Sequence, residues 1–311
     1  MFATLFLLLA ASFAESKTLA LQVHLDRAGY SCNTIDGQWG RKSERALAKF
    51  VADRSKDSKS APVATPADAL DAYFAGRPAP LKTVAVEQSD IDAVVAIPED
   101  PGERAKLRRM GYESVKEMFA ERGHLSQIAL AKLNPGVDWK NVRAGQKIVI
   151  PDFPPIEEEL AAGNRGDARR PKRPEAELVK ISISESEITA FDASGRTLAL
   201  FPCSIAANKK KIPAHGELKI TSYVAWPNFT YTPDNTPQGQ RVYRHVWPEG
   251  ENCPVGVAWM GLNLPGYGIH GTPRPESVGF TGSHGCFRLA NWNAARLYAM
   301  CRSGTKVVVE E

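Results

Sequence analysis

The sequence lacks the features of a membrane-embedded, nucleic-acid-binding or zinc-dependent protein. No hydrophobic run is long enough to span a bilayer. The 39 basic and 35 acidic side chains leave a net charge of only +4, without zinc-finger spacing or a basic recognition helix. There is no HExxH pattern and no cysteine pair at ligand spacing, so we expect no metal and no cofactor. With 311 residues, 43% of them hydrophobic, the chain predicts two or three globular domains and no nucleic-acid partner.

Cysteine is scarce, with five residues in the chain. An odd number leaves at least one thiol outside any intramolecular disulfide. The sequence leaves the pairing open among Cys32, Cys203, Cys253, Cys286 and Cys301.

The first fourteen residues have the pattern of a secretory leader. They carry no charged side chain, and residues 5–11 are Leu, Phe and Ala only. Ser12 and Ala14 are small residues at the positions that precede a cleavage site, ahead of Glu15. An amino-terminal Lys or Arg, usual in such leaders, is missing. We expect residues 1–14 to be a signal peptide and the mature protein to be secreted to the cell envelope, in the periplasm.

Residues 15–78 show helical periodicity interrupted by glycine. Leu21 and Leu25 share one helical face, and Gly29 follows where a helix ends. The strings GY, IDGQWG and ALAKF, the last ending at Phe50, resemble the helical peptidoglycan-binding module. The resemblance implies a small helical domain that binds glycan or peptide.

Residues 79–152 contain two extended segments around two helical ones. Residues 81–86 and 146–150 read as strands, and residues 87–112 read as an insertion. The strings LNPG and VRAGQKIVIP resemble a LysM module. That resemblance implies a βααβ fold that binds glycans containing N-acetylglucosamine.

Residues 153–176 are rich in proline and charge and predict an exposed linker. From residue 177 to residue 311 the hydrophobic period changes to two, as at Val179, Ile181 and Ile183. Residues 291–300 read as one helix near the end. We therefore expect a multidomain protein with a mainly-β catalytic domain, a sandwich or barrel with one helix.

Two motifs in this β-rich segment carry chemistry. The first is YGIHGT, which contains His270, and the second is TGSHGCFRL, which contains Cys286. A cysteine is nucleophilic as the thiolate, and a neighbouring imidazole can take its proton. The glycine-containing turn before Cys286 can direct backbone N–H groups at an oxyanion, as acyl transfer requires.

Together the two motifs resemble the catalytic signature of the YkuD-type L,D-transpeptidases. The resemblance covers about residues 177–311 and implies Cys286 as nucleophile and His270 as general base. It also implies that the backbone carbonyl of Gly271 holds the second ring nitrogen of His270. A structural half-cystine at Cys286 is the alternative.

The resemblance extends to the residues around this pair. It implies supporting or oxyanion-forming roles for some of these residues and substrate-binding roles for others. The alternatives are that His284 shapes its loop, that Arg288 pairs with an internal carboxylate, and that Trp259 packs in the core. The supporting residues are Gly271, Ser283, His284 and Gly285, and the substrate-binding residues are Arg288, Tyr267 and Trp259.

The family activity starts from a peptidoglycan stem tetrapeptide. The cysteine attacks the L,D bond between the third and fourth residues, D-alanine leaves, and an amine resolves the thioester. The expected partners are stem peptides and glycan strands. The acceptor stays open among a second stem peptide, an envelope lipoprotein, a free D-amino acid and water. Water would make the protein an L,D-carboxypeptidase, and a non-catalytic wall-binding protein is the other alternative.

Overall fold

The computed structural model describes residues 12–55, 65–163, 174–207, 216–233, 244–280 and 285–311. Most of the expected signal peptide, residues 1–11, lies outside this part of the chain. Across the described ranges, no helix combines the length and the apolar character that crossing a membrane requires.

The amino-terminal segment is helical, as predicted. Its core includes Phe50, whose ring stacks on that of Phe74 with 5.3 Å between centroids. Gly29 follows the first helix with φ +96°, and a Cβ there would lie 2.7 Å from the carbonyl oxygen of Leu198. A glycine is required because the chain turns against another segment at this point. The helices are α1 (Lys17–Arg27), α2 (Arg41–Ser55) and α3 (Pro66–Phe74).

The middle segment begins and ends with paired strands, as the sequence indicates. Strands β1 and β2 run antiparallel, with Leu81 opposite Pro151 and Ala85 opposite Lys147. Two further short helices occupy the predicted insertion. The identification of this segment as a LysM module stays a prediction. The elements are β1 (Leu81–Ala85), α4 (Gln88–Asp92), α5 (Pro101–Arg104), α6 (Val115–Arg122), α7 (Gln127–Leu133) and β2 (Lys147–Pro151).

The carboxy-terminal segment is mainly β, which confirms the predicted class. An eight-stranded sheet has the order β11-β10-β9-β6-β12-β3-β4-β5, and β7 pairs with β8 beside it. The predicted helix at 291–300 is present. The elements are β3 (Leu178–Ser182), β4 (Glu187–Phe191), β5 (Thr197–Pro202), β6 (Gly216–Ala225), β7 (Phe229–Tyr231), β8 (His245–Trp247), β9 (Ala258–Leu262), β10 (Gly268–His270), β11 (Phe287–Arg288), α9 (Asn291–Met300) and β12 (Lys306–Glu310).

The two edges of this sheet meet at one point. Ser204, just after β5, forms an isolated antiparallel bridge with Arg288 of β11. Each backbone N–H donates to the other residue's carbonyl, at 2.9 and 3.0 Å. The sheet therefore curls towards a barrel, and β11 is held on both sides.

The expected linker is the part of the sequence interpretation that the structure corrects. Residues Ile156–Gly163 form a helix, α8, that packs against α9. Ile156 and Leu160 are buried in the core of the carboxy-terminal domain. A run of three glutamates concealed this apolar pair at helical spacing. The prediction of an exposed linker is thus wrong for residues 156–163, while residues 164–173 lie outside the described part.

The helical segment packs directly on the edge strand β5. Tyr30 forms a parallel bridge with Leu200. The N–H of Leu200 donates to the carbonyl of Gly29 at 2.8 Å, and the N–H of Ser31 donates to the carbonyl of Leu200 at 2.9 Å. An otherwise unpaired sheet edge is thereby covered.

The predicted insertion packs against the catalytic domain. The N–H of Met110 donates to the carbonyl of Glu249, and the N–H of Asn252 donates to the carbonyl of Met110, both at 2.8 Å. Met110 is buried together with Cys253 and Val255. The insertion therefore attaches the middle segment to the β-rich domain.

Candidate active site

The two sequence motifs meet on neighbouring parallel strands. Strand β10 pairs with β11 so that Ile269 lies opposite Phe287 and His270 lies opposite Arg288. Side chains alternate between the faces of a sheet, so Arg288 shares one face with His270. Cys286 lies just before β11, two residues from Arg288, so we expect it on that face as well. The predicted nucleophile and base are therefore expected on the same face, two residue positions apart.

His270 is buried and is held by two contacts. Its Nδ1 lies 2.6 Å from the carbonyl oxygen of Gly271, the contact that the family resemblance implies. The ring stacks on that of Trp259, with 5.5 Å between centroids, on the adjacent strand β9. The side chain is only 6% exposed. Trp259 thus contacts the imidazole, where the sequence suggested either substrate binding or core packing.

The electrostatics of His270 favour a neutral imidazole. Burial lowers its pKa to about 4, against the opposing effect of the Gly271 carbonyl and with a further lowering by the charge of Arg288. Because Nδ1 faces a carbonyl, which can only accept, the proton lies on Nδ1. Nε2 is therefore the basic nitrogen, as a general base requires.

Cys286 is a partly buried thiol. Its Sγ lies 3.5 Å from the carbonyl oxygen of Gly266. Burial raises the pKa of the thiol, and the backbone N–H of Gly268 opposes that shift. In contrast, Cys32, Cys203 and Cys253 are fully buried thiols, and burial raises the pKa of Cys32 to about 12.

The other predicted site residues differ in their burial and contacts, and two of them lie outside the described residues. Gly271 is buried, and its N–H donates to the carbonyl of Ala258 at 3.2 Å. Tyr267 packs partly against the hydrophobic core. Gly285 directly precedes Cys286, as the motif requires. Ser283 and His284 lie outside the described residues, so their predicted roles stay predictions.

Asn291 and Glu121 are site neighbours that the sequence analysis missed. Asn291 begins α9 and is fully buried, and its side-chain Nδ2 lies 3.2 Å from Glu121 Oε2. Asn291 lies two residues after the second motif, which was a usable signal. Glu121 belongs to the middle segment, and nothing in its local sequence connects it with a site 150 residues away.

The resting pair of Cys286 and His270 is expected to be a neutral thiol beside a neutral imidazole. The rate of alkylation of Cys286 by iodoacetamide should therefore keep rising into the alkaline range, because thiolate forms only there. Mass spectrometry of the peptide containing Cys286, from about pH 5 to about pH 10, measures that rate. The buried Cys32 and Cys253 are internal controls. A fast rate that is constant between about pH 5 and pH 8 would instead indicate a thiolate–imidazolium pair.

Comparison with known proteins identifies the domain. Residues 176–309 match the YkuD family model, described as the L,D-transpeptidase catalytic domain. The chain is 28% identical over 193 residues to a putative L,D-transpeptidase YkuD of Bacillus licheniformis, covering 62% of this chain and 92% of that protein. It is 25% identical over 198 residues to a probable L,D-transpeptidase YbiS of Escherichia coli, covering 61% of this chain and 58% of that protein.

Solved structures give a partial likeness. An L,D-transpeptidase from Mycobacterium smegmatis is similar with a TM-score of 0.34 and 23% identity, over 44% of this chain and 59% of that one.

The sequence matches define an enzyme of the cysteine acyl-transfer class. Over residues 176–309 the chain is similar to the YkuD family of L,D-transpeptidase catalytic domains.

Proposed function

We propose that this chain is a peptidoglycan L,D-transpeptidase in which Cys286 is the nucleophile and His270 the general base. The observation that supports the proposal most directly is the orientation of His270. Its Nδ1 donates to the Gly271 carbonyl at 2.6 Å, and its strand pairs with β11, which Cys286 directly precedes. A backbone carbonyl here replaces the carboxylate of a Ser-His-Asp triad in fixing the tautomer.

The first half-reaction is acylation of the cysteine. Nε2 of His270 takes the proton of the Cys286 thiol, and Sγ attacks the carbonyl carbon of the third residue of a stem tetrapeptide. Backbone N–H groups at Gly285 and Cys286 stabilise the oxyanion. The bond to the nitrogen of D-alanine then breaks, and His270 returns its proton to the departing amine.

The second half-reaction resolves the thioester. An acceptor amine attacks the same carbonyl carbon and loses a proton to His270. The carbon–sulfur bond breaks, and the thiolate of Cys286 regains its proton from His270. A side-chain amine of a second stem gives a 3→3 cross-link, an envelope lipoprotein gives a protein anchored to the wall, and water gives hydrolysis.

Arg288 is proposed to bind a carboxylate of the substrate. Burial lowers the pKa of its guanidinium, and the nearby positive charge of Arg274 lowers it further. Two arginines that repel each other favour an anion between them. The terminal carboxylate of D-alanine in the tetrapeptide is an anion of this kind.

The proposed place of action is the bacterial cell envelope, where peptidoglycan is found. The pattern of residues 1–14 supports secretion, with the periplasm as the specific compartment. The resemblances of residues 15–78 and 79–152 to wall-binding modules support a second contact with glycan strands.

Incubation with disaccharide-tetrapeptide fragments, followed by mass spectrometry, tests the activity. The purified protein is expected to form a dimer with the loss of one alanine, and Cys286→Ala is expected to form none. Cys32→Ser, which also removes one thiol, is the matched control and should retain the activity. Tripeptide without dimer would indicate hydrolysis as the main reaction. Unchanged substrate with every protein would contradict the proposal.

A further inference from the structure

A buried asparagine connects the active site to the middle segment. The Nδ2 group of Asn291 donates to both carboxylate oxygens of Glu121, at 3.3 and 3.2 Å, and to the carbonyl of Glu251 at 3.0 Å. Asn291 is fully buried, so these protein groups are its hydrogen-bond partners. The position of the amide is therefore set partly by a residue outside the catalytic domain.

The other end of the same amide contacts the peptide that holds His270. A Cβ at Gly271 would lie 2.4 Å from Asn291 Oδ1, and one at Gly256 would lie 2.1 Å from it. Both glycines therefore allow the amide to approach the backbone closely. The carbonyl of Gly271 accepts from His270 Nδ1, so a displacement of Asn291 would displace the acceptor that orients the imidazole.

Glu121 is an unusual residue to find at such a contact. It lies at the end of α6 and is only 6% exposed. The hydroxyl of Tyr112 donates to its Oε1 at 3.0 Å. Burying a carboxyl group is unfavourable unless its hydrogen bonds are made, and here Tyr112 and Asn291 make them.

We propose that Glu121 is a positioning residue for His270, acting through Asn291 and Gly271. Residues 79–152 then complete the active site in addition to any contact they make with the cell wall. The proposal rests on the proposed function in one respect, that His270 is the base. It predicts that the catalytic domain is impaired when the acceptor at position 121 is lost.

The protonation state of Glu121 decides which substitution best preserves its hydrogen bonds. Burial raises its pKa to about 8, the hydrogen bonds from Asn291 and Tyr112 oppose that shift, and the carboxylates of Glu251 and Glu117 add to it. Burial therefore favours the uncharged acid form of this side chain. Glutamine has the same length and keeps an acceptor, whereas methionine has similar length and has none.

The experiment compares Glu121→Met with Glu121→Gln in the full chain. Nitrogen chemical shifts of the His270 ring report its tautomer, iodoacetamide alkylation reports the reactivity of Cys286, and dimer formation gives kcat and KM. Glu121→Met is expected to populate the Nε2-protonated tautomer and to lower kcat and the alkylation rate about tenfold to a hundredfold, with KM little changed. Glu121→Gln should stay within about twofold of the wild type in all three.

Asp90→Asn is the matched control. Asp90 is a buried carboxylate of the same segment, and it pairs with Arg122 at 2.8 Å. Its replacement by asparagine is expected to leave the His270 tautomer unchanged. If Glu121→Met is unstable, the double variant Tyr112→Phe/Glu121→Met removes the hydroxyl that would otherwise lose its partner.

A wild-type tautomer and alkylation rate in folded Glu121→Met would overturn the proposal. An equal effect of Asp90→Asn would also overturn it, because a general loss of stability would then explain the result. The tautomer and alkylation measurements need no peptidoglycan, so they decide the role of Glu121 even if no protein forms dimers. That last outcome would count against the proposed function alone.

Discussion

Replacing His270 with glutamine is expected to slow formation of the Cys286 thioester by about a hundredfold to ten-thousandfold. Burial raises the pKa of the thiol, so little thiolate exists at neutral pH without a base to accept its proton. Glutamine can occupy the space of the imidazole but cannot take that proton. The measurement is single-turnover acylation by a stem tetrapeptide, followed by the mass of the intact protein.

The pH dependence of the wild-type reaction also identifies the base. Since the pKa of His270 is lowered to about 4, the imidazole stays unprotonated above that pH. The value of kcat/KM for the wild type should therefore fall only below about pH 5, where His270 becomes protonated, and not near pH 6.5 as for an exposed histidine. His245→Gln, on strand β8, is the control for a loss of one histidine. An acid limb near pH 6.5, or acylation by His270→Gln at nearly the wild-type rate, would show that His270 is not the base.

Replacing Asp26 with alanine is expected to lower the free energy of unfolding by about 3–5 kcal/mol. Asp26 lies on α1 and is fully buried. Its Oδ1 is 3.1 Å from Nδ1 of His124 in the middle segment and 3.3 Å from the guanidinium of Arg296 on α9. Alanine would leave the charge of Arg296 buried with the Asp26 backbone carbonyl, at 2.7 Å, as its remaining contact with that residue.

The charges at this junction support that expectation. Burial acts to raise the pKa of Asp26, but the neighbouring His124 and Arg296 hold it below its ordinary value. Burial lowers the pKa of His124, so Arg296 is the lasting positive charge beside the carboxylate. The stabilisation is therefore present above the ordinary pKa of an aspartate and is lost as the pH falls through the lowered value.

Urea unfolding followed by tryptophan fluorescence measures the effect. Asp71→Ala is the matched control in the same helical segment, because its ion pair with Lys17, at 3.5 Å, is exposed to solvent. The expected loss there is below about 1 kcal/mol. If Asp26→Ala and Asp71→Ala lose the same small amount, Asp26 does not hold the three segments together.

The sequence predicted the elements whose signals are local. Alternating Val179 and Ile181 predicted strand β3, and the helix at 291–300 followed from apolar spacing. His270 and Cys286 were recognisable because glycines and specific neighbours surround both within a few residues. These signals depend on backbone geometry and burial over one turn or one strand, so one short segment is enough to show them.

The sequence by itself indicated the mainly-β class of the catalytic domain and its resemblance to L,D-transpeptidases, and it predicted the Cys–His pair. Tertiary structure alone decided that α8 is part of the core, that Asp26 and Arg296 meet, and that Glu121 contacts Asn291. At Asp26, Arg296 and Glu121 a charged or polar side chain, which local patterns assign to the surface, is buried by contact with a distant segment, and in α8 a run of glutamates concealed an apolar pair. Such contacts have no periodic signature, because the folded chain supplies the partner that makes the burial favourable.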